Sequence, residues 1–215
     1  MPETLFKLKT NINLVLASAS PRRKQFLDDW GLCYEILKPQ VVEPKPDPLE
    51  SGADYTTRLA SLKAQAVYAS LDLARRSSSL IIAADTVVVF QDKFLGKPED
   101  SQAALAMLNS LVGQKHSVTT SVALILPTSG EEVTFSETSQ VYFYHFAEDI
   151  LQSYVASGEP LDKAGAYAIQ GLGAFLVEKI EGSWTTVVGL PLCRLAQELL
   201  TRGLLVAQQP LVDDA

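Results

Sequence analysis

Residues 80–90 read LIIAADTVVVF, and this run decides the fold. It is rich in β-branched and apolar residues at odd and even positions alike, which is typical of a strand buried on both faces at the centre of a sheet. One carboxylate, Asp85, interrupts the run. An unpaired buried carboxylate is costly, so Asp85 needs a cation, a hydrogen-bond donor or a proton. We therefore predict a metal ligand or a general base, the alternative being a structural Asp that caps a turn or pairs with a lysine.

Upstream of this strand, the chain predicts a βα unit and then a long helix. Residues 14–17 predict a buried strand, and Ser20 and Pro21 are suited to begin a helix over residues 21–30. A short strand near residues 34–37 precedes a Pro-rich loop, which extends to Asp54. Asp54 can cap a helix that continues to about Arg76.

Downstream, helices alternate with hairpins. The pattern predicts a turn at 91–93, a helix from Ser101 to Gly113, strands at 116–126 and 132–146, a helix at 147–157, a hairpin of strands 175–180 and 184–188, and a last helix from Pro191 to Arg202. This mixture of βα units and hairpins predicts an α/β protein with a mixed, twisted sheet flanked by helices.

Composition narrows the class of protein. The 215 residues are 47% hydrophobic and 20% charged, which suits one domain over residues 1–215, in one lobe or two. No apolar run is long enough to cross a bilayer, and the N-terminal MPETLFKLKTN lacks the apolar core of a signal peptide, so we expect a cytoplasmic protein. The net charge of −7 argues against nucleic-acid binding, and the two cysteines and two histidines lack the spacing of a disulfide framework or a zinc site.

A basic cluster at the start of the first predicted helix stands out against this acidic background. The segment SASPRR, residues 18–23, places Arg22 and Arg23 at the positive end of the helix dipole, where a cation is disfavoured by about 0.3–1 kcal/mol. Backbone N–H groups, the hydroxyls of Ser18 and Ser20, and two guanidinium groups would form a phosphate cradle. The alternative is a solvated helix face whose arginines meet surface carboxylates.

Two further segments carry residue types that suit a nucleotide. LGKPED, residues 95–100, offers Lys97 as a point charge for phosphate, although a simple turn explains the segment equally well. LDKAGAYAIQG, residues 161–171, contains Gln170, whose amide can donate to and accept from the edge of a base. A glycine-rich loop that satisfies its own backbone is at least as good an explanation of that segment.

Two charged residues outside these motifs fit the same site. Glu43 lies in the Pro-rich loop and Lys63 on the long helix, and each alone is more often a surface charge. Together the candidates supply cations for phosphates, carboxylates for a divalent metal and an amide for a base. Mg²⁺ prefers a few carboxylates plus substrate phosphates to a complete protein cage, so the set predicts a nucleotide-cleaving enzyme.

Five motifs taken in order, SASPRR, AADTVV, GKP, DKAGAYAIQG and VVGLP, resemble those of the Maf family of nucleoside triphosphate pyrophosphatases and span residues 14–191. The resemblance implies an elongated, two-lobed α/β fold like that of the inosine triphosphate pyrophosphatases, with the cleft between the lobes. It implies hydrolysis of a nucleoside triphosphate to the monophosphate and pyrophosphate with Mg²⁺ or Mn²⁺, and a chain able to form a homodimer. One departure is Thr186, which stands where many members carry Asn.

The resemblance also implies roles for individual residues. Asp85 corresponds to the catalytic proton acceptor. The other catalytic positions are acidic or basic, namely Glu43, Lys63 and Lys97. The substrate-binding positions are Ser18, Arg22, Arg23, Thr86 and Gln170. Metal binding falls to Glu43 and Asp85.

Specificity follows from three of these positions. In the family that the chain resembles, one branch acts on dTTP and UTP and another acts on 7-methyl-GTP. The residues that match the dTTP and UTP branch are Arg22, Thr86 and Gln170. Modified pyrimidine nucleotides would fit the same argument. The alternative from another class is a regulatory protein that binds nucleotides without cleaving them; against it stands Asp85, because holding phosphate needs no buried base.

Overall fold

The structure is a computed structural model, and it describes residues 5–47 and 49–208. The strands of this part of the chain are β1 (Phe6–Leu8), β2 (Asn13–Leu16), β3 (Tyr34–Ile36), β4 (Ser79–Phe90), β5 (Lys93–Leu95), β6 (Lys115–Ile125), β7 (Glu132–Phe143), β8 (Val177–Glu181) and β9 (Leu205–Ala207). Its α-helices are α1 (Pro21–Asp29), α2 (Gly52–Ser70), α3 (Leu73–Ser78), α4 (Ser101–Leu111), α5 (Glu148–Ala156), α6 (Trp184–Val188) and α7 (Leu192–Thr201). Three short 3₁₀ helices cover Glu159–Asp162, Ala164–Ala166 and Leu172–Leu176.

A seven-stranded mixed sheet organises the fold. Its strand order is β3-β2-β4-β6-β7-β8, and β5 pairs with β4 off this path. Strand β2 runs parallel to both β3 and β4, whereas the β4–β6, β6–β7 and β7–β8 pairs are antiparallel. The predicted α/β class with a mixed sheet flanked by helices is therefore confirmed, and residues 80–90 do form its central strand.

Side-chain alternation sends residues 80–84 of β4 to two separate cores. Even-numbered residues, such as Ile82, pack in the cluster that contains Phe26 of α1 and side chains of α7. Odd-numbered residues, such as Ile81, pack in the cluster that contains Ala60 and Ala64 of α2. The next two residues of the strand, 85 and 86, must therefore face opposite helices.

The long helix predicted to extend to Arg76 is wrong, because the chain forms two helices there. Helix α2 begins after Ser51, whose Oγ accepts a hydrogen bond from the Asp54 backbone N–H at 3.1 Å. It ends at Ser70; the next residue, Leu71, is extended and buried, and Asp72 then caps α3. Asp72 is a strong N-cap, and burial of Leu71 stabilises the break that the helical periodicity conceals.

The predicted hairpin at 184–188 is also wrong, since these residues form helix α6. Its first arm is nearly right, because β8 begins two residues later than predicted and pairs with β7. After Gly182, which has a φ of +120°, the chain leaves the sheet. The Gly189 and Leu190 N–H groups then donate to the Thr185 carbonyl at 3.0 and 2.9 Å and close a helical turn. Tertiary packing here overrides the strand preference of Thr and Val.

Three short strands were not predicted from the sequence. Strands β1 and β9, which pair antiparallel, and β5 have three residues each, too few to show a period. The predicted turn before β5 is present, and Gln91 and Asp92 have φ angles of +49° and +59°. The first four residues of the N-terminal stretch tested for a signal peptide lie outside the described residues. Within the described ranges, no helix is both long and apolar enough to span a membrane.

Candidate active site

A cleft of about 900 Å³ brings the predicted site residues together. Its lining includes the β2–α1 junction, the loop that carries Glu43, α2, β4, the segment after β5 and residues of the 162–169 segment. The predicted residues in its lining are Ser18, Arg22, Arg23, Glu43, Lys63, Asp85, Thr86 and Lys97. Gln170 is half-buried and lies outside the lining, next to Ile169, which is part of it.

Asp85, Lys63 and Glu43 form the charged centre of the cleft. Asp85 is an odd-numbered residue of β4 and therefore faces α2, where Lys63 lies one turn from the core residues Leu59 and Ala60. Lys63 Nζ lies 2.5 Å from Asp85 Oδ1 and 2.7 Å from Glu43 Oε1. The Lys63 and Asp85 side chains are only 12% and 13% exposed, against 51% for Glu43. Both carboxylates thus converge on one ammonium group at the wall of the cleft.

Burial controls the protonation of Asp85. Desolvation raises the pKa of Asp85 above its usual value, while the charge and hydrogen bond of Lys63 and the charge of Arg23 oppose that rise. Within the described chain, the Asp85 carboxylate accepts a single hydrogen bond, which Lys63 donates to Oδ1. A carboxylate with a raised pKa and an oxygen open to the cleft is suited to accept a proton from a water molecule.

Thr86 faces the opposite side of β4, where Arg23 binds it. The guanidinium group of Arg23 donates through Nη2 to Thr86 Oγ1 at 3.0 Å, through Nη1 to Ser18 Oγ at 3.2 Å and through Nε to the Gly189 carbonyl at 2.8 Å. Arg23 therefore ties α1 to β4 and to the end of α6, and its charge still lies at the cleft. The sequence predicted a phosphate ligand, whereas the structure also makes Arg23 a structural clamp.

The VVGLP motif serves this clamp. Gly189 has a φ of +121°, and a Cβ atom there would lie 3.2 Å from Thr86 Oγ1 and 3.6 Å from the Arg23 guanidinium group. Thr186, in the place of the family Asn, is fully buried, and its hydroxyl donates to Glu137 Oε2 at 3.0 Å. The Thr186 side chain therefore faces Glu137 and does not line the cleft.

Helix α1 presents free backbone N–H groups to the cleft. Its N-cap, Ser20, makes no side-chain capping hydrogen bond, although Ser and Asp caps do so in α2, α3 and α4. Ser18 Oγ instead accepts from the Ser20 N–H at 3.2 Å, one position outside the helix. The first-turn N–H groups of α1, at Arg22 and Arg23, thus remain available to an anion.

Glu43 lies on an irregular loop that two residues of α2 fasten. Arg58 forms a bidentate pair with Glu50, at 2.8 Å from Nε and 2.6 Å from Nη2, and also donates to the Lys45 carbonyl at 3.3 Å. The Tyr55 hydroxyl donates to the carbonyl of Pro44, next to Glu43, at 3.3 Å. These side chain-to-loop bonds hold Glu43 against Lys63 without any regular structure beneath it.

Lys97 and the 161–171 segment form the opposite rim. Lys97 is exposed, and its neighbour Gly96 accepts a hydrogen bond from the Gly165 N–H at 3.1 Å. Asp162 and Lys163, which pair with each other, also line the cleft. The hydrogen bond from Lys163 and the charges of Lys163, Lys97 and Arg22 lower the pKa of Asp162 below its usual value.

The donor set suits a metal that is shared with phosphates. Among the described residues, no group of three or more His, Cys, Asp or Glu side chains could hold an ion alone. Glu43 and Asp85 nevertheless each place one carboxylate oxygen beside the same atom, Lys63 Nζ, and therefore close to each other. Two hard oxygen ligands beside a phosphate cradle fit Mg²⁺ or Mn²⁺, with substrate and water completing the coordination.

Sequence reasoning missed several residues of the cleft. Lys38, Tyr55, Asp162 and Lys163 line it, and Arg58 and Glu50 support it from outside. The DKAGAY motif could have indicated Asp162 and Lys163, since it lies in a segment already singled out. Arg58 and Glu50 carry no comparable signal, because a charged pair eight residues apart resembles any surface pair.

Comparisons with known proteins identify the family of this chain. A "dTTP/UTP pyrophosphatase" of Nitratidesulfovibrio vulgaris is 46% identical over 197 residues, covering 92% of this chain and 91% of the relative. Proteins of the same name from Desulfotalea psychrophila and Halalkalibacterium halodurans are 47% and 44% identical, covering 87% and 88% of this chain and 93% and 96% of the relatives. Residues 13–202 match the family described as Maf-like protein, and the chain belongs to the Maf family.

Proposed function

We propose that this chain hydrolyses dTTP and UTP to the monophosphate and pyrophosphate in the cleft between β4, α1 and α2. The observation that carries the proposal is the convergence of Asp85, Lys63 and Glu43 beside the uncapped start of α1. A buried base, a phosphate cradle and two oxygen ligands are the parts that attack on a phosphorus atom requires. The names of the relatives supply the pyrimidine nucleotides as substrates.

Phosphate binding falls to the cations around the cleft. Arg22 makes no hydrogen bond to the described part of the chain, so its guanidinium group is free for a bidentate contact with phosphate. The first-turn N–H groups of α1 add donors at the same place. Lys97 would reach the triphosphate from the opposite rim as a point charge, and Lys63 from α2. The cost of cations at a helix start is offset because the ligand is strongly anionic.

Asp85 is the proton acceptor in this proposal. It would take a proton from the water that attacks the α-phosphorus, while the pyrophosphate leaves held by the cations. Glu43 and Asp85 would hold a divalent metal, Mg²⁺ or Mn²⁺, which neutralises phosphate charge and makes a bound water more acidic. Lys63 has a second role, because its ammonium group contacts both carboxylates and holds them at one place in the cleft.

Thr86 and Gln170 would distinguish the bases. Thr120 donates to the Thr186 carbonyl at 2.7 Å, so the Thr86 hydroxyl must donate its own proton to Thr120. Arg23 occupies one lone pair of Thr86 Oγ1, which leaves the second to accept an N–H group. Uracil and thymine carry such a group at N3 and cytosine does not. The Gln170 amide would pair with a neighbouring edge of the base.

The test is pyrophosphate release by the purified protein with dTTP, UTP, dCTP and dGTP in the presence of Mg²⁺. We expect release from dTTP and UTP at a rate at least about tenfold above that from the other two, as for other sites that hydrogen-bond a distinguishing group. Nucleotide binding with no pyrophosphate release would instead favour a regulatory role. A single domain with two lobes over residues 1–215, a homodimer, a cytoplasmic location and the absence of nucleic-acid binding stay predictions from the sequence.

A further inference from the structure

The segment that carries Gln170 is fastened on both sides by one carboxylate and one phenol. Glu159 Oε2 accepts from the Leu172 N–H at 2.9 Å, and Glu159 Oε1 accepts from the Gly173 N–H at 2.9 Å. Tyr154 of α5 donates its hydroxyl proton to Glu159 Oε1 at 2.8 Å. The same hydroxyl accepts from the Ala168 N–H at 3.2 Å. Bonds at 168, 172 and 173 therefore enclose residue 170.

The surrounding residues are shaped to admit this network. A Cβ atom at Gly171, which has a φ of +110°, would lie 2.5 Å from Glu159 Oε2. A Cβ atom at Gly173 would collide with the Tyr154 hydroxyl group. Glycine at these two positions lets the carboxylate and the phenol approach the backbone directly.

The charge of Glu159 is retained in this place. Burial raises the pKa of Glu159, but hydrogen bonds from Leu172, Gly173 and Tyr154 outweigh burial, so the pKa lies below its ordinary value. Burial and the bond to Glu159 also raise the pKa of Tyr154. At neutral pH, Glu159 is therefore an ionised acceptor and Tyr154 a neutral donor. The three hydrogen bonds to the Glu159 carboxylate are charge-assisted, and the Tyr154 hydroxyl donates in one direction only.

We propose that Glu159 and Tyr154 are positioning residues that fix the backbone of the segment 168–170, in which Ala168 and Ile169 line the cleft and Gln170 follows them. The proposal rests on the proposed function, in which Gln170 meets the pyrimidine. Neither Glu159 nor Tyr154 lines the cleft, so each acts through the backbone of the 168–173 segment. A site that discriminates by hydrogen bonds loses its preference when such a segment shifts by a fraction of an ångström.

The kinetic test compares Glu159→Gln and Tyr154→Phe with the wild type on dTTP, UTP and dCTP. Glu159→Gln replaces one acceptor oxygen with an NH₂ group, which cannot accept from the Leu172 or Gly173 N–H group. Tyr154→Phe keeps the ring but removes the hydroxyl group. We expect kcat/KM for dTTP and UTP to fall about tenfold, mainly through KM, with little change for dCTP. Glu148→Gln on the exposed face of α5 and Tyr144→Phe are matched controls that should leave all three substrates unchanged.

A double-mutant cycle separates positioning from general destabilisation. In a Gln170→Ala background, Glu159→Gln should change the preference for dTTP over dCTP by less than about twofold, because its target is gone. An equal loss in both backgrounds, an equal loss on dTTP and dCTP, or wild-type kinetics in both variants would overturn the proposal.

Amide hydrogen exchange gives a readout that needs no activity. We expect the Ala168, Leu172 and Gly173 amides to exchange at least about tenfold faster in both variants, with the β4 amides unchanged. Unchanged exchange would overturn the positioning role of Glu159 and Tyr154, even in a variant whose kinetics are altered. A wild-type protein that released no pyrophosphate would overturn the proposed function. Amide exchange would still decide whether Glu159 and Tyr154 hold the 168–173 segment in place.

Discussion

The two halves of the cleft are built in different ways. The regular half consists of Asp85 and Thr86 on β4, Lys63 on α2 and Arg23 on α1, where strand alternation and helix register place each side chain. The loop half consists of Glu43, Lys97 and the segment with Gln170. Side chains bonded to backbone groups hold the loops of Glu43 and Gln170, and a backbone hydrogen bond from Gly165 to Gly96 holds the segment of Lys97.

This difference predicts different responses to substitution. In the regular half, a change matters when it alters the reacting or clamping group itself, since the backbone beneath is held by sheet and helix hydrogen bonds. In the loop half, a change matters when it removes a supporting bond, even at a residue that touches no substrate. The first three predictions below test this contrast, and the fourth concerns a buried contact beneath the cleft.

The largest effect is expected for Asp85→Asn, which removes the proton acceptor of the regular half. Pyrophosphate release from dTTP should fall about 10³-fold, within the range for loss of a general base. The fold should persist, because the amide oxygen can still accept from Lys63, and Lys63 keeps Glu43 as a partner. Near-normal turnover in excess Mg²⁺ would show that another group takes the proton.

Asp92→Asn is the matched control for that experiment. Asp92 is exposed in the β4–β5 turn with a φ of +59°, a conformation that Asn tolerates well. The control should keep wild-type activity and thermal stability. A similar loss in both variants would mean that net charge, and not the position of the carboxylate, explains the effect.

A second prediction separates the two neighbouring arginines. Arg23→Lys keeps the charge but cannot bond Thr86, Ser18 and the Gly189 carbonyl together. We expect the free energy of unfolding to fall by about 2 kcal/mol and kcat/KM to fall about 10²-fold, because at least two hydrogen bonds are lost and Thr86 loses its orientation. Denaturant unfolding and steady-state kinetics measure the two effects.

Arg22→Lys is the internal comparison, because Arg22 bonds no described residue and serves only phosphate in the proposal. Its unfolding free energy should match that of the wild type, while KM for dTTP rises by up to about tenfold. If Arg22→Lys destabilised the fold as much as Arg23→Lys, the division into a clamp and a phosphate ligand would be wrong.

The third prediction cuts the support of the loop half. Arg58→Ala removes the pair with Glu50 and the bond to Lys45, so Glu43 loses its fixed position beside Lys63. The Mg²⁺ concentration for half-maximal activity should rise about three- to tenfold, within the range for loss of an outer partner of a ligand, while kcat at saturating metal changes little.

Arg75→Ala is the control for this loop, because Arg75 pairs with Glu35 and does not line the cleft. It should leave the metal dependence unchanged. A metal requirement that is identical in Arg58→Ala and the wild type would show that Glu43 does not depend on this support, or does not bind the metal.

The regular half was largely predictable from the sequence. The apolar run around Asp85 indicated a central buried strand, and the cost of an unpaired carboxylate indicated a nearby cation. Lys63 was named as a site residue as part of the set and from the family resemblance, without a predicted contact to Asp85, and the structure pairs the two at 2.5 Å. Once β4 lies between α1 and α2, alternation along the strand assigns Asp85 to one helix and Thr86 to the other.

The loop half was not predictable in the same way. The support by Arg58, Tyr55 and Glu159 depends on contacts between segments whose relative placement no periodicity encodes. The same reason explains the wrong hairpin at 184–188: Thr and Val favour a strand locally, but the bond from Arg23 to Gly189 requires the chain to turn back toward α1. Local pattern and long-range polar contacts conflict there, and the contacts prevail.

A buried contact beneath the cleft joins β6 to the segment that carries Gln170. His116 on β6 is buried, and its Nε2 lies 2.9 Å from the hydroxyl of Tyr167, which lines the cleft. Within the described chain, His116 Nδ1 is a buried atom without a hydrogen-bond partner. Burial lowers the pKa of His116 to about 4, because a second N–H group would lie in a dry, aromatic environment formed with Phe143.

The fourth prediction, with the smallest expected effect on catalysis, is that His116 makes the protein acid-sensitive. The unfolded chain takes up a proton near pH 6.5 and the folded chain only near pH 4, so acid favours unfolding between these values. This residue alone should remove about 3 kcal/mol of stability over that range. His116→Gln should flatten the dependence of the unfolding free energy on pH and change kcat at pH 7.5 less than about twofold, because the amide can still bond Tyr167. His145→Gln, at the exposed second histidine, should leave the dependence intact, and equal curves for His116→Gln and the wild type would contradict the assignment.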